Sequence, residues 1–382
     1  MVVGGGPAGS SAAWRAASSG ARVCLVDRAA FPRDKPCGDG LTPRAVRRLV
    51  EIGLGSELER FQRIDRFRLC AGGRAHEFAW SAVDQRDAHG YVAARTELDK
   101  LLLDHARTAG AEVREACDAV GARVVNGVVR GIQVRVDGGQ EELRAHVVVA
   151  ADGASSRIAR SLNIAPRNGR VGIAVRNVLD AKLDDDGRID LHFSLPHGHG
   201  LLPGYAWVFP LRGGQANVGV ALLRLSPRWN VNMRDLLQAF VSSLPRSWDL
   251  AQGQDVVRSP QLRGWRVPMG FAVWPPWRPG LLLAGDAAGV AEPLFGEGIS
   301  TALRSGLAAG QAALDALSRG DATDLSGYEH VLRDYWGRYY RPARAFVRIA
   351  GQPLLARAFV ETGTRLPGLA PLTYKAVAKV CH

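Results

Sequence analysis

The feature that most constrains the fold is a glycine-rich turn at the start of the chain. The sequence opens MVVGGGPAGSSAAW, in which a short apolar segment leads into Gly4, Gly6 and Gly9. Glycines at this spacing let the backbone turn tightly between a strand and a helix. The free N–H groups and positive dipole end of that helix attract a pyrophosphate. The helix is expected to continue to about Ser19 and to end at Gly20.

A second strand, RVCLVD at 22–27, completes a predicted βαβ unit and ends on an acidic residue. Asp27 lies 18 residues beyond the last glycine of the turn, where a carboxylate can accept hydrogen bonds from an adenosine ribose. Pro7, Ala8 and Arg28 flank these positions and are expected to line the same site. The alternative is a glycine-rich turn that holds no ligand.

The chain starts very close to this turn. Met1 lies only three residues before Gly4, whereas a strand usually has about five residues. Either the start is truncated or the true start lies upstream. A weakened N-terminal edge is expected if the chain begins at Met1.

Two further apolar segments predict a parallel sheet. HVVVAADG at 146–153 and GLLLAGD at 280–286 are near-continuous apolar runs, as expected for strands covered by helices on both faces. A long helix is predicted from about 298 to 317. Between about 166 and 275 the pattern changes to strands with short turns, and LRGGQ at 211–215 indicates a hairpin.

These patterns predict an α/β fold with a Rossmann-like domain, in which helices flank a parallel sheet. An antiparallel β-sheet domain is inserted into it, and a helical region begins near residue 326. The length of 382 residues fits two such domains. The predicted bounds are 1–70, 95–165 and 276–325 for the parallel-sheet domain, 71–94 and 166–275 for the inserted sheet, and 326–382 for the C-terminal helical region.

Asp/Gly pairs after the later strands favour a flavin over a nicotinamide. Asp152-Gly153 and Gly285-Asp286 each follow an apolar strand, and a plain nicotinamide dehydrogenase does not need them. The chain here resembles the flavoprotein hydroxylase superfamily, which binds FAD in an extended conformation. The resemblance implies that both Asp/Gly pairs lie along the FAD, and that Arg95 in VAARTELDKLLL contacts it. It also implies FAD contacts for the residues that open the following helix, which are Pro293, Gly296, Gly298 and Ile299.

The positive end of that helix would face the pyrimidine edge of the flavin and favour its anionic reduced form. The more ordinary interpretation is that Asp152 only caps a turn and that Arg95 is a surface residue.

Two further motifs resemble one branch of this superfamily. FPRDKPCGDGL at 31–41 and GYAWVFP at 204–210 are similar to signatures of the geranylgeranyl reductase family, within which the chain looks closest to bacterial menaquinone isoprene reductases. The motifs occur in order along essentially the whole chain. Asp27 departs from the family pattern, in which a glutamate is common. The resemblance implies that the parallel-sheet domain binds FAD and that the inserted sheet binds substrate.

The cysteine-containing loop is expected to lie on the flavin side. Cys37, Gly38, Asp39 and Gly40 are predicted to contact the cofactor, since glycines let the backbone lie against the flavin ring. Cys37 would then either donate a proton at the reacting centre or only shape the pocket. A third interpretation is that the lone cysteine is a small buried hydrophobic residue.

Three aromatic residues alternate along one predicted strand. Tyr205, Trp207 and Phe209 therefore point to the same face. We predict that they form the wall of a prenyl-chain site, with Tyr205 and Trp207 also taking part in catalysis by stabilising a developing cation. The alternative is an ordinary sheet core packed on a helix.

The implied reaction saturates isolated C=C bonds of an isoprenoid chain, by proton delivery plus hydride transfer from N5 of the reduced flavin. The substrate would be a prenyl lipid or quinone. No second nucleotide-binding fold is visible, so electrons are expected from transient NAD(P)H, ferredoxin or a reduced quinone pool.

Three other functions compete with this one. They are an aromatic monooxygenase on the same scaffold, a flavin halogenase, and a lipid- or quinone-binding protein that keeps FAD as a structural element. A halogenase needs an active-site lysine, and neither Lys35 nor Lys100 has the expected context.

Charge and cysteine content bear on where in the cell the protein acts. The formal charge is +12, and residues 333–382 hold nine basic residues against two acidic ones, so this tail either lies on an anionic membrane or forms a helical cover with arginines in water. Five scattered cysteines without a CxxC pair predict reduced thiols and no metal site. No signal peptide, membrane span or nucleic-acid motif is evident, so we expect a cytoplasmic or peripheral inner-membrane location.

Overall fold

The computed structural model describes most of the chain, namely residues 1–71, 73–80, 88–136, 138–167, 170–183, 187–193, 195–197, 200–223, 231–250, 256 and 258–350. Residues 351–382, which make up most of the predicted membrane-facing or covering tail, lie outside the described residues. The chain divides into two compact units. The first comprises Met1–Lys35, Arg95–Val171 and Val267–Arg341, and the second comprises Pro36–Ala94, Gly172–Arg266 and the chain from Pro342.

The helices are α1 (Pro7–Ala17), α2 (Pro43–Glu51), α3 (Arg95–Thr108), α4 (Arg157–Ser161), α5 (Met233–Ser242), α6 (Ile299–Arg319) and α7 (Ser326–Ala350). The strands are β1 (Val2–Val3), β2 (Cys24–Val26), β3 (Gly40–Leu41), β4 (Gln62–Ile64), β5 (Arg66–Ala71), β6 (Arg74–Ala79), β7 (Gly90–Val92), β8 (Glu112–Arg114), β9 (Asp118–Val125), β10 (Val128–Val136), β11 (Gly139–Arg144), β12 (Val148–Ala150), β13 (Val171–Asp180), β14 (Arg188–His192), β15 (Pro196–His197), β16 (Gly200–Leu201), β17 (Gly204–Leu211), β18 (Gln215–Leu222), β19 (Arg263–Pro268), β20 (Trp277–Arg278) and β21 (Leu281–Leu283).

The first unit is built on the predicted parallel sheet. Its strand order is β20-β21-β12-β1-β2-β8, and every pairing except β20 with β21 is parallel. The central strands β21, β12 and β1 are short and wholly buried, which explains their near-continuous apolar sequence. The predicted βαβ unit and both later strands are therefore confirmed, and β1 is a two-residue strand in the middle of the sheet.

Helices α1, α3 and α6 pack beside this sheet through small residues, polar contacts and one ring stack. The Ser11 hydroxyl of α1 donates to the Leu303 carbonyl oxygen of α6 at 3.1 Å, and Trp14 of α1 stacks on His105 of α3 with ring centroids 5.5 Å apart. A helix of alanines, serines and glycines lets its neighbours approach closely. The same small residues lead directly into the glycine turn, so this packing fixes where the turn lies.

Helix α7 covers the first unit with a regularly spaced apolar face. Tyr328, Leu332, Trp336 and Tyr340 are buried at four-residue intervals in the core of this unit. The arginines of α7 at 333, 338 and 341 are exposed. The described part of the predicted C-terminal helical region thus packs one face on the first unit and leaves these arginines exposed. Within the described residues, no helix is both long enough and apolar enough to span a membrane.

The second unit contains the predicted antiparallel sheet. Its seven strands run in the order β19-β13-β18-β17-β14-β5-β6, and only the β14–β5 pairing is parallel among those described. Strands β17 and β18 form the predicted hairpin, with Leu211 paired to Gln215. One face of this sheet packs on α5 through an aliphatic cluster, and the other carries aromatic residues.

The division of the chain differs from the predicted bounds at residues 36–70. These residues belong to the second unit, because β5 pairs with β14 and because β3 and β4 pair with β7. A three-stranded sheet of β11, β10 and β9 was not anticipated in the first unit. The predicted class, an α/β fold with a parallel sheet, an antiparallel sheet and C-terminal helices, is confirmed.

Candidate functional site

The glycine turn between β1 and α1 is shaped by close backbone approach. Gly4 has a φ of 99°, and a Cβ on Gly4 or on Gly9 would collide with the carbonyl oxygen of Ala151 or of Gly4, respectively. Gly6 faces no backbone, and the nearest atoms to a Cβ there would be two guanidinium nitrogens. The turn therefore presents an open backbone surface, edged by positive charge, at the start of α1.

Asp27 holds the turn and ends β2 as predicted. Its Oδ2 accepts the Gly5 N–H at 2.7 Å and its Oδ1 accepts the Ala29 N–H at 2.9 Å. Only 7% of the residue is exposed. Each carboxylate oxygen can accept a second hydrogen bond, so Asp27 retains capacity for a ribose hydroxyl.

Arg95 begins α3 and is buried, which rules out the surface interpretation. Its Nε and Nη2 donate to Asp99 at 2.7 Å each, in a bidentate ion pair one helical turn apart. Asp99 is fully buried. The pair holds the Arg95 guanidinium with Nη2 3.8 Å from the position that a Gly6 Cβ would take.

Asp152 lies directly after β12 and has one satisfied and one unsatisfied oxygen. Its Oδ2 accepts the N–H groups of Arg157 and Ile158 at 2.7 and 3.2 Å, which caps α4. Its Oδ1 is buried and has no hydrogen-bond partner among the described residues. Burial raises the pKa of this carboxyl, against the opposing hydrogen bonds. Capping of α4 therefore accounts for Oδ2 of Asp152 but not for Oδ1.

Asp286 follows β21 in a short 3-10 turn (Gly285–Ala287) and is partly exposed. The Gly285 N–H donates to the Ser305 hydroxyl of α6 at 3.0 Å, which fixes the turn. The Lys35 ammonium lies 3.6 Å from Asp286 Oδ2. The predicted acid is therefore accompanied by a cation that the sequence motifs did not assign.

The turn before α6 is organised by a carboxylate that sequence reasoning missed. Glu292 is 2% exposed and accepts the N–H groups of Leu294 and Phe295 at 2.8 and 2.7 Å. The Tyr339 hydroxyl of α7 donates to the same carboxylate. This network fixes the predicted cofactor positions Pro293, Gly296, Gly298 and Ile299, which surround the turn and open α6.

The N-terminus of α6 is partly occupied by the protein itself. The Glu297 carboxylate accepts both the N–H and the hydroxyl of Ser300. Any anion placed there would share the positive end of the helix with this charge. The other predicted flanking residues differ in exposure, because Pro7 and Ala8 are buried in α1 whereas Arg28 is exposed.

In the second unit, the loop around Cys37 is held by one buried amide. The Asn217 side chain donates to the Cys37 carbonyl oxygen and to Asp39 Oδ2, both at 2.8 Å, and accepts the Trp207 indole N–H at 2.9 Å. Asp39 adopts a φ of 64° and is 3% exposed. Asn217 therefore couples the predicted loop to the predicted aromatic strand, and it was not singled out from the sequence.

The three predicted aromatic residues form a row on one face of the sheet. Ring centroids are 5.9 Å apart for Tyr205 and Trp207 and 6.2 Å apart for Trp207 and Phe209. Tyr205 and Phe209 are half-buried, whereas Trp207 is 3% exposed. Gly38 and Gly40 lie against this row, and a Cβ on Gly40 would come within 3.0 Å of the Phe209 ring. The glycines of the loop thus make room for aromatic side chains.

The first unit has the features required of an FAD site. A dinucleotide needs an open backbone turn at a helix N-terminus, a carboxylate for the ribose and polar groups along its length. Gly6 supplies the open turn, Asp27 the carboxylate and Arg95 one of the polar groups. The unsatisfied Oδ1 of Asp152 is a buried acceptor that a cofactor hydroxyl can satisfy. Fold and site together define a dinucleotide-binding flavoprotein.

Comparison with known proteins gives the particular family. The FAD binding domain family matches residues 1–335, and the chain belongs to this family. It is 34% identical to the menaquinone reductase of Mycobacterium tuberculosis, over 99% of this chain and 88% of that protein. It is 32% identical to digeranylgeranylglycerophospholipid reductase 1 of Methanopyrus kandleri, over 89% and 86% of the two chains.

A solved structure supports the same relationship. The geranylgeranyl bacteriochlorophyll reductase-like protein of Thermoplasma acidophilum superposes with a TM-score of 0.79 and 27% identity, covering 92% of this chain and 87% of that one. The predicted resemblance to geranylgeranyl reductases is confirmed, as are FAD as cofactor and the class of FAD-dependent oxidoreductase.

Proposed function

We propose that this chain is an FAD-dependent reductase that saturates isolated C=C bonds in the prenyl chain of a lipid, with menaquinone as the first substrate to test. The observation that carries the proposal is the aromatic row of Tyr205, Trp207 and Phe209, in a chain about one-third identical to reductases of prenyl lipids. When bound, reduced FAD supplies a hydride.

An isolated, trisubstituted C=C bond has no carbonyl group to accept negative charge. A proton must therefore be delivered to the less substituted carbon while positive charge develops at the other. Aromatic faces stabilise a developing cation and exclude water from it. Tyr205 and Phe209 offer such faces, and Trp207 fixes the row because its indole N–H is held by Asn217.

Cys37 is the proposed proton donor. An ordinary thiol has a pKa of about 8.5 and is protonated at neutral pH. The Cys37 backbone carbonyl is fixed by Asn217 and the side chain is half-buried, so the thiol has a defined position with access from outside. The pocket-shaping role is the competing explanation, and substitution separates the two.

The test uses purified protein loaded with FAD and reduced anaerobically by dithionite. After incubation with menaquinone and reoxidation of the quinone headgroup, the product should be heavier by one H2 per saturated bond. In D2O two deuterium atoms should enter per saturated bond, one at the protonated carbon and one at the hydride-accepting carbon, because flavin N5–H exchanges with solvent. Cys37→Ala should slow turnover by about 10²- to 10⁴-fold without loss of FAD. Cys70→Ala, which removes another half-buried thiol of the same unit, is the matched control and should remain active.

Two results contradict the proposal. A product that gains oxygen or halogen identifies a monooxygenase or halogenase. Unchanged turnover in Cys37→Ala, or loss of activity that Cys37→Ser restores without a change in pH profile, assigns Cys37 only a pocket-shaping role.

The electron donor and the cellular location are further parts of this proposal. NADPH, NADH, reduced ferredoxin and a reduced quinone are each to be tested for anaerobic bleaching of the flavin absorbance. The exposed arginines of α7 at 333, 338 and 341 support peripheral binding to an anionic membrane. Flotation with phosphatidylglycerol vesicles, compared with phosphatidylcholine vesicles, tests this, and equal recovery in both contradicts it.

A further inference from the structure

The segment 31–35 folds back onto the glycine turn within the first unit. The Phe31 N–H donates to the Glu115 carboxylate at 2.6 Å. The Phe31 ring lies 3.1 Å from the position that a Cβ on Gly5 would take. This double attachment places the residues after Phe31 beside the start of α1.

Arg33 directs its guanidinium at the open side of the turn. Its Nη2 lies 3.5 Å from the position of a Gly6 Cβ, closer than the corresponding nitrogen of Arg95 at 3.8 Å. Its Nη1 lies 3.1 Å from Asp99 Oδ2, and its Nη2 lies 3.9 Å from Asp27 Oδ2. The side chain is 19% exposed. Arg33 is thus a largely buried cation over the Gly6 face of the turn, which backbone does not fill.

One carboxylate holds two guanidinium groups at this point. Asp99 forms the bidentate pair with Arg95 and also the pair with Arg33. The positive dipole end of α1 lies at the same place, so an anion bound over Gly6 would meet the two guanidinium groups and the helix end together. Such an arrangement is stabilised when a further anion binds.

Of the two carboxylates near Arg33, Asp27 makes the longer contact. Asp27 already accepts two backbone N–H groups, and its distance of 3.9 Å from Arg33 is too long for a hydrogen bond. Arginine suits the position because its fork lets one nitrogen keep a carboxylate while another binds a phosphate oxygen.

We propose that Arg33 is a phosphate-binding residue of the FAD site, which contacts the cofactor pyrophosphate, and that Asp99 positions Arg33 and Arg95 together. Membership of the FAD-binding family does not assign Arg33 this role. The inference rests on the cofactor and not on the prenyl substrate, so it stands or falls separately from the proposed reaction.

The experiment measures ligand binding to the apo-protein. FAD, ADP and riboflavin are titrated by fluorescence into wild type, Arg33→Gln and Arg33→Lys. ADP carries the pyrophosphate without the flavin ring, and riboflavin carries the ring without phosphate. Arg123→Gln is the matched control, because Arg123 pairs with Glu142 at 2.8 Å in the three-stranded sheet of the same unit.

Loss of one charge-assisted phosphate contact should weaken FAD and ADP binding by about 10- to 100-fold in Arg33→Gln. Arg33→Lys should recover part of the loss, since lysine keeps the charge but not the fork. Riboflavin binding should not change, and Arg123→Gln should bind all three ligands like wild type. The salt dependence of FAD binding should also become shallower in Arg33→Gln.

Two outcomes overturn the proposal. If Arg33→Gln binds FAD and ADP as wild type does while its apo-protein melts at a lower temperature, Arg33 only neutralises Asp99. Equal weakening of riboflavin and FAD places the effect at the flavin ring. If Arg33→Gln does not fold, the Arg33→Lys titration and its salt dependence decide the question, and wild-type affinity for ADP in that variant counts against the proposal.

Discussion

At the scale of single residues, Asn217 fixes three groups with one side chain. Its amide bonds the Cys37 carbonyl oxygen, the Asp39 carboxylate and the Trp207 indole in a buried setting. An amide suits this position because it donates twice and accepts at the same time. A carboxylate could not donate to Asp39, and an apolar residue could do neither.

Replacement of Asn217 by leucine should therefore destabilise the protein by about 3 kcal/mol or more, because three buried hydrogen bonds are lost together. Urea unfolding followed by circular dichroism measures this change. Gln215→Leu is the control, since Gln215 lies on the same strand but bonds Asp180 at an exposed site, and it should cost less than about 0.5 kcal/mol. Equal costs for the two variants would show that the network contributes little.

A second residue gives a pH dependence. His192 lies on β14, where its ring meets Phe240 of α5 edge to face at 5.0 Å, and its Nε2 is buried without a hydrogen-bond partner among the described residues. Burial lowers the pKa of His192 below 6.5, with Asp190 opposing the shift and Arg68 adding to it. The folded protein then holds His192 neutral at pH values where the unfolded chain binds a proton.

Stability should accordingly fall as the pH decreases through 6.5 towards the folded pKa, by at most about 1.4 kcal/mol for each pH unit of that window. Urea midpoints of wild type and His192→Gln, measured from pH 7.5 downwards, test this. The variant should show a smaller fall. His330→Gln, which changes an exposed histidine of α7, should keep the wild-type slope. A wild-type slope in His192→Gln would contradict the assignment.

At the scale of elements, strands β17 and β18 fit together through a large residue and a small one. Trp207 on β17 pairs directly with Gly219 on β18, and a Cβ on Gly219 would collide with the Trp207 ring. Trp265 approaches the same ring edge-on at 6.3 Å. The row of aromatic residues therefore depends on a glycine in the neighbouring strand.

Gly219→Ala should displace the Trp207 ring and destabilise the protein by about 1–3 kcal/mol, the usual cost of overpacking a core. Near-ultraviolet circular dichroism should report the change in the tryptophan environment. Gly327→Ala is the control, because a Cβ at this position of α7 meets no atom within 4 Å, and it should be neutral or slightly stabilising. An unchanged spectrum in Gly219→Ala would mean that the ring does not lie over Gly219.

Several helices and strands could be predicted from the sequence, whereas the long-range side-chain contacts could not. The strands at 146–153 and 280–286, the hairpin at 211–215 and the helix after the last glycines were predictable because local periodicity and turn residues encode them. The roles of Asn217, Glu292 and Arg33 were not, because their partners are distant in sequence and no spacing links them. Likewise, the residues 36–70 joined the second unit through strand pairings that local pattern does not encode.

At the scale of the whole molecule, the cofactor should stabilise one part of the chain in a recognisable pattern. A ligand that binds only the folded state stabilises it by about 2.7 kcal/mol at 100 times its Kd. The backbone groups that bind the cofactor should gain most. The groups proposed to do so lie at 4–9, 152–158 and 285–299, which are separate in sequence but belong to the same unit.

Hydrogen exchange with and without FAD should therefore slow in these three segments, since their local opening must now release the ligand. The sheet of β9, β10 and β11 belongs to the same unit but holds no proposed cofactor residue, so its local exchange serves as the internal control. ADP should protect 4–9 but leave 296–299 unchanged, because the start of α6 is predicted to face the flavin ring. Protection confined to the control sheet, or equal protection of all three segments by ADP, would contradict the assignment of FAD along this path.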